Sequence, residues 1–251
     1  RTARQPPEVA GKRPGFCRTY DRFQGILGAV RTAGEQAVDE RVAVRPAGLV
    51  WQGSLLDSLA AGGPAIDPAF ASAVRHHLDE ESWIDVVPGW LSGPDDVFAA
   101  LVDNARWRAH DRVMHGNVVA QPRLTAGWSD GRVVKAAPVL ETARAALTER
   151  YGRTFDCGGL NLYRDGRDSV AWHRDRIAKA IDRPVVGILS LGWSRRFLVR
   201  PYGGGPSIRF DPAAGDLLVT GGQMQRRWEH CVPKTATPVG PRISVTFRHS
   251  E

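Results

Sequence analysis

The chain has 251 residues, 42% hydrophobic and 24% charged, enough for one large globular domain and unlike a disordered polymer or a fibrous repeat. No apolar run approaches the roughly 20 residues that span a bilayer, and no secretory signal opens the chain; three scattered cysteines (Cys17, Cys157, Cys231) offer neither a disulfide framework nor a Cys-x-x-Cys zinc pair, so a cytoplasmic protein without a membrane partner is expected. The net charge of +7 favours a polyanionic partner, but residues 1–48 alone hold nine Lys/Arg against five Asp/Glu, which leaves the remainder only weakly basic.

Residues 1–48 are rich in Arg, Ala, Gly and Pro and read as an extension outside the fold. Within them Arg1–Pro14 is expected to be disordered and Phe23–Ala37 to form at most a weak helix. Val50 to Leu59 is a short lead-in. Phe70, Val74 and Leu78 recur at i, i+4 and i+8, which predicts a helix over Pro68–Leu78. Trp83–Trp90 is extended and closes at Pro88-Gly89. Helices are predicted over Pro94–Trp107, with Val97, Leu101 and Trp107 inward, and over Pro138–Tyr151, with Leu140, Ala143 and Leu147 on one face. Gly116–Trp128 between them is loop and strand. After Tyr151 short strand-like runs follow, punctuated by Gly, Pro and Asp: Gly159–Tyr163, Ser169–His173, Val185–Leu191, Arg196–Arg200, Ser207–Phe210, Asp216–Thr220, Trp228–Val232 and Arg242–Arg248. Such a series fits a jelly roll or a related double-sheet barrel.

His173-Arg174-Asp175 lies where strands are expected. Residues i and i+2 of a strand share a face, so the imidazole and the carboxylate can grip one ion together. His230, in Trp228-Glu229-His230-Cys231-Val232, supplies a third donor, or else is a hydrogen-bonded core histidine. Two His and one carboxylate make the facial triad of non-haem Fe(II) oxygenases. His77-Leu78-Asp79 has the same spacing, but the predicted helix there points the two side chains apart, which makes it a solvated helix end.

In the last strand Arg242, Ser244, Thr246 and Arg248 share one face, and Ile243, Val245 and Phe247 share the other. The apolar face packs inward. The polar face meets solvent in an arbitrary strand, but two arginines spaced along it match the length of a five-carbon dicarboxylate, which a guanidinium fork binds through two parallel bonds. Asn161 and Tyr163 alternate onto one face and add hydrogen-bonding groups.

The ordered set Asn161-Leu162-Tyr163, His173-Arg174-Asp175, His230 and Arg242-x5-Arg248 resembles the AlkB family of Fe(II)- and 2-oxoglutarate-dependent dioxygenases. Further likeness to actinobacterial members lies in Tyr163-Arg164-Asp165-Gly166, Gly203-Gly204-Gly205-Pro206-Ser207, Gly215-Asp216-Leu217-Leu218-Val219 and Val232-Pro233-Lys234-Thr235. Trp51-Gln52-Gly53-Ser54-Leu55-Leu56 and Pro122-Arg123-Leu124-Thr125-Ala126 add to it. The resemblance covers about residues 49–249.

It implies an α+β, mainly β fold: a double-stranded β-helix (jelly-roll) core over about 152–249 with flanking N-terminal helices, and a nucleotide-recognition region over about 104–135, all in one domain spanning 49–251. It implies that His173, Asp175 and His230 hold Fe(II). Arg242 would take the distal carboxylate of 2-oxoglutarate with Tyr163 and Ser244, and Arg248 and Asn161 would lie near the carboxylate beside the keto group. The family often has Asn where this chain has Ser244. With O2 as oxidant, the implied reaction removes an alkyl group from a nucleobase and yields formaldehyde, succinate and CO2.

A base inside a duplex cannot reach a buried iron, so the substrate is single-stranded or flipped out. The chain is expected to act on it as a monomer. Arg106, Trp107, Arg108, Arg112, His115, Arg123 and Trp128 supply the basic and aromatic types that such a site uses. Arg123 is the candidate contact to the nucleic acid and Trp128 the candidate stacking residue, with core packing its alternative; Trp107 is expected in the core. Many repair members carry an acidic residue two positions beyond the metal aspartate, where this chain has Ile177 after Arg176, which leaves the preferred base open. Three other readings share parts of this pattern: a 2-oxoglutarate oxygenase acting on protein or a small molecule, a non-catalytic nucleic-acid-binding jelly roll, and a zinc hydrolase with the same three ligands, in which the paired arginines have no obvious job.

Overall fold

The computed structural model describes residues 46, 48–49, 51, 62–114, 117–128, 131–175 and 181–250. The expectations for Arg1–Pro14, for Phe23–Ala37, for most of Val50–Leu59 and for Arg176 and Ile177 lie outside the described residues, as do the side chains of Arg112 and His115.

The elements before residue 110 are β1 (Ala65–Ile66), β2 (Val74–His77), β3 (Ser82–Val87), β4 (Leu91–Ser92) and α1 (Pro94–Asn104). Next come β5 (Asp111–Met114), β6 (Asn117–Ala120), β7 (Leu124–Gly127), α2 (Arg132–Ala136) and α3 (Val139–Tyr151). The remainder is β8 (Cys157–Tyr163), β9 (Val170–His173), β10 (Val186–Gly192), β11 (Phe197–Pro201) and β12 (Ile208–Phe210), then β13 (Leu217–Gly222), α4 (Met224–Arg227), β14 (Trp228–Val232) and β15 (Arg242–Arg248).

A seven-stranded sheet of order β2-β3-β13-β10-β15-β8-β7 faces a four-stranded sheet of order β12-β11-β14-β9. All pairs within both sheets are antiparallel. This is the expected jelly roll, mainly β, with its longer helices ahead of β8 in the chain. Two cores follow from strand alternation. On the outer face of the large sheet, Leu160, Leu189, Val245 and Phe247 pack with Phe98 and Leu101 of α1 and Leu140 and Leu147 of α3. Between the sheets, Ile84, Val186, Ile188 and Leu218 meet Phe197, Val199, Trp228 and Val232.

Helix α1 begins at Pro94 behind a left-handed Gly93, with Asp95 and Asp96 in its first turn, a sequence that suits a helix start. Its buried residues Val97 and Leu101 are those predicted, and Trp107 is buried beyond its end. In α3, Leu140, Ala143 and Leu147 are buried as expected.

Pro68–Leu78 differs from expectation. No helix forms there. The chain turns through Phe70, which is buried at φ 52°, and then runs as the exposed edge strand β2. Asp67 accepts from the amides of Ala69 and Ala71 and fixes that turn. His77-Leu78-Asp79 is therefore the end of a strand and a turn, not a helix end. Asp79 caps the amides of Glu81 and Ser82 and accepts a 2.7 Å bond from Trp228 Nε1.

Candidate metal centre

Strand pairing brings two histidines together. His173 of β9 lies directly opposite His230 of β14, and their ring centroids are 4.3 Å apart. His230 is buried and stacks on Phe197 at 5.1 Å. His173 Nδ1 lies 2.9 Å from the Ala171 carbonyl, which takes the ring proton and leaves the Nε2 lone pair available.

Asp175 arrives differently from the sequence expectation. β9 ends at His173, so strand alternation does not reach the carboxylate; it sits on the loop that follows. Its Oδ1 is nevertheless 3.8 Å from His173 Nε2 and 3.9 Å from His230 Nε2. Those distances exceed hydrogen-bonding reach. Three lone-pair donors within 4.8 Å of one another, with no hydrogen bond among them, fit a cation as their common partner. Two imidazoles and one carboxylate suit Fe(II) and leave coordination positions open.

The protonation states agree with that use. Burial alone would raise the Asp175 carboxyl, but the Arg248 guanidinium and the two imidazoles outweigh it and hold the group at about 2. Burial, reinforced by His173, pushes His230 down to about 3, so its ring is neutral. Arg248 approaches Asp175 Oδ2 at 3.3 Å, which places this arginine at the metal end of β15.

The other end of β15 carries Arg242, 1% exposed. Its Nη2 donates to Ser190 Oγ at 2.8 Å, while Nε and Nη1 find no hydrogen-bond partner among the described residues. Burial lowers its guanidinium to about 10. Tyr163 lies directly opposite in β8, with the guanidinium carbon 5.6 Å from its ring. Between the two arginines Ser190, Ser244, Asn161 and Thr125 form one cross-strand row. Asn161 Nδ2 donates to Ser244 Oγ at 3.3 Å. A buried guanidinium with open donors costs several kcal/mol unless an anion completes it. An incoming carboxylate would do so.

Sequence reasoning did not single out Ser190, Thr125 or His110, whose Nε2 is 2.8 Å from Thr125 Oγ1. Ser190 left a signal, a lone hydroxyl in the apolar run Val185–Leu191.

The two candidate substrate residues separate. Arg123 stands at the row, its Nε donating 3.0 Å to Asn161 Oδ1. Trp128 is turned away from the donors. It packs edge-on against Phe247 at 5.3 Å, on the outer face of the sheet, in a seat left by Gly158, where a Cβ would come within 2.7 Å of the indole. It is half-buried and packs against the apolar core on that face. Trp107 is likewise core, as expected.

A family model described as the 2OG-Fe(II) oxygenase superfamily matches residues 96–248. The alpha-ketoglutarate-dependent dioxygenase alkB homolog 3 of Homo sapiens is 30% identical over 188 residues, covering 66% of this chain and 66% of that protein. The DNA oxidative demethylase ALKBH2 of Bos taurus is 32% identical over 120 residues, covering 44% and 43%. The chain thus spans just under two thirds of the first of these relatives. Among solved structures, a prolyl hydroxylase in complex with a hypoxia inducible factor peptide fragment, from Trichoplax adhaerens, superposes with a TM-score of 0.49 at 16% identity over 66% of this chain and 83% of that one.

Proposed function

Because the chain belongs to the 2OG-Fe(II) oxygenase superfamily, and within it to the AlkB family, we propose that it oxidatively dealkylates N-alkylated nucleobases such as 1-methyladenine and 3-methylcytosine, in DNA or RNA. Its cofactors are Fe(II) and 2-oxoglutarate, with O2. In this reading His173, Asp175 and His230 hold the iron, and residues 49–251 act as one oxygenase unit with the nucleotide-recognition region near 104–135. The observation that carries the reading is the buried, incompletely bonded Arg242 on the same strand face as the arginine that braces Asp175. The nucleobase as substrate is supported by the names of the relatives.

When bound, iron and 2-oxoglutarate supply the oxidising power: O2 is consumed, 2-oxoglutarate becomes succinate and CO2, and one oxygen atom goes to the N-alkyl carbon. The hydroxylated carbon then leaves as formaldehyde: the C–N bond breaks, its electron pair stays on the ring nitrogen, and the hydroxyl proton is released to solvent. The protein's share is to bind, orient and keep water out. Arg242 and Tyr163 hold the distal carboxylate. Ser190, Ser244 and Asn161 line the path between the arginines. Arg248 keeps Asp175 ionised, and the neutral His230 needs no deprotonation before it ligates. Among the described residues no helix is long and apolar enough to cross a membrane.

The test is formaldehyde release from 1-methyladenine and 3-methylcytosine oligonucleotides with Fe(II) and 2-oxoglutarate. Turnover that needs both is expected. Turnover on a peptide, with none on any methylated oligonucleotide, would shift the assignment to a protein oxygenase.

A further inference from the structure

Asp175 lies beyond the last hydrogen-bonded residue of β9, and strand geometry does not place it. Arg248 of β15 holds its carboxylate; two hydrogen bonds hold the backbone and neighbouring side chain of its loop from α4, the single turn that leads directly into the strand carrying His230. Gln225 Oε1 accepts from the Asp175 amide at 2.8 Å. The Arg226 carbonyl accepts from Arg174 Nη1 at 3.0 Å. Gln225 is 1% exposed, although nothing in the proposed reaction uses it.

The orientation of that buried amide is set at the Asp175 end. A backbone N–H is a donor only, so it must meet Oε1, and the NH2 end is turned toward Thr220 on β13, where Nε2 donates to the Thr220 hydroxyl at 3.2 Å. The Thr220 Oγ1 lies 3.5 Å from the Val186 carbonyl. A flipped amide would set two donors against each other at Asp175. The chain Val186–Thr220–Gln225–Asp175 thus runs from the middle of the large sheet to the backbone of the carboxylate donor.

We infer that Gln225 is a positioning residue for the metal site, coupling the loop of Asp175 to the strand of His230 so that the carboxylate is in place before the metal arrives. This rests on the assignment of His173, Asp175 and His230 as iron ligands, but not on the choice of substrate. Gln225 touches neither donor atoms nor substrate; it acts through the Asp175 backbone.

The test reads metal binding directly, without turnover. Apo-protein is titrated with Co(II) as a spectroscopic stand-in for Fe(II), in wild type, Gln225→Leu, Gln225→Glu and Thr220→Val. Losing a group that orients a ligand weakens metal affinity by about 10- to 100-fold. Gln225→Leu is expected to fall in that range with an altered Co(II) spectrum. Gln225→Glu keeps an acceptor for the Asp175 N–H and is expected to recover part of the loss. Thr220→Val, which removes the hydroxyl that meets the NH2 end, is expected to show a smaller loss and serves if the leucine variant does not fold. Wild-type affinity and spectrum in Gln225→Leu, or in Thr220→Val where the former is unfolded, overturn the inference. Wild-type protein that binds no Co(II) or Fe(II) overturns the triad and this inference with it. Failure to turn over methylated oligonucleotides, with metal binding intact and Gln225-dependent, overturns only the proposed substrate.

Discussion

The two faces of β15 are equally buried and do opposite work. Ile243, Val245 and Phe247 are 0–1% exposed against the helices, and Arg242, Ser244 and Thr246 are 1–5% exposed between the sheets. The apolar face is complete as it stands, because its side chains are packed into the core and need no further partner. The polar face is not, because Arg242 keeps two donors without partners among the described residues. Burial by itself does not separate structural from functional residues; a buried charged group with open donors points to a ligand more strongly.

Substitutions on the two faces should therefore come apart. The largest effect falls on the metal donors: His173→Ala is expected to drop formaldehyde release to the level without enzyme, and retained metal-dependent turnover would remove His173 from the site. Next, Phe247→Ala on the apolar face should cost about 3–5 kcal/mol of stability in denaturant unfolding, while the folded fraction binds 2-oxoglutarate as wild type does. Arg242→Met reverses that pattern. It should weaken 2-oxoglutarate binding about 100-fold, the loss of charge-assisted bonds worth roughly 3 kcal/mol, and leave the apo-protein no less stable, because it replaces an incompletely bonded buried cation by an apolar chain. A large fall in apo-protein stability in that variant would mean that Arg242 is structural.

A pH effect comes next in size. His230 is depressed from 6.5 to about 3, so its neutral form in the fold contributes stability that is fully present above about 6.5 and is lost as pH falls toward 3. In that window the unfolded chain binds the extra proton, and apo-protein stability should decline by up to about 1.4 kcal/mol per pH unit. His230→Leu should flatten the slope; an unchanged slope assigns it to other groups. The smallest effect is expected at Trp128, whose indole Nε1 is buried without a partner among the described residues. Trp128→Phe should leave the KM for an oligonucleotide unchanged, and a marked rise would return it to the substrate site.

The jelly roll was largely legible because its signals are local. Alternation and Gly/Pro/Asp punctuation located all eight strands after Tyr151, from Cys157–Tyr163 to Arg242–Arg248. Pro68–Leu78 misled because three apolar residues at helical spacing also occur by chance around a turn. Phe70 is buried by the turn that Asp67 caps, and Val74 is 54% exposed on an edge strand. The short α2 and α4 left no periodic trace long enough to read.

For the site, the sequence alone determined the chemical types and their order: two imidazoles, a carboxylate, and arginines on one strand face. Side-chain alternation along a strand is a property of the local backbone, and it is sufficient for that. What only the tertiary structure decided is register and satisfaction. His173 lies opposite His230 because β9 and β14 pair in one register. Asp175 is held by Gln225 of a neighbouring helical turn and by Arg248 of β15, not by its own strand. Trp128 falls on the far side of the sheet from the donors. Each of these depends on contacts between segments distant in the chain, whose pairing and hydrogen bonding no local pattern encodes.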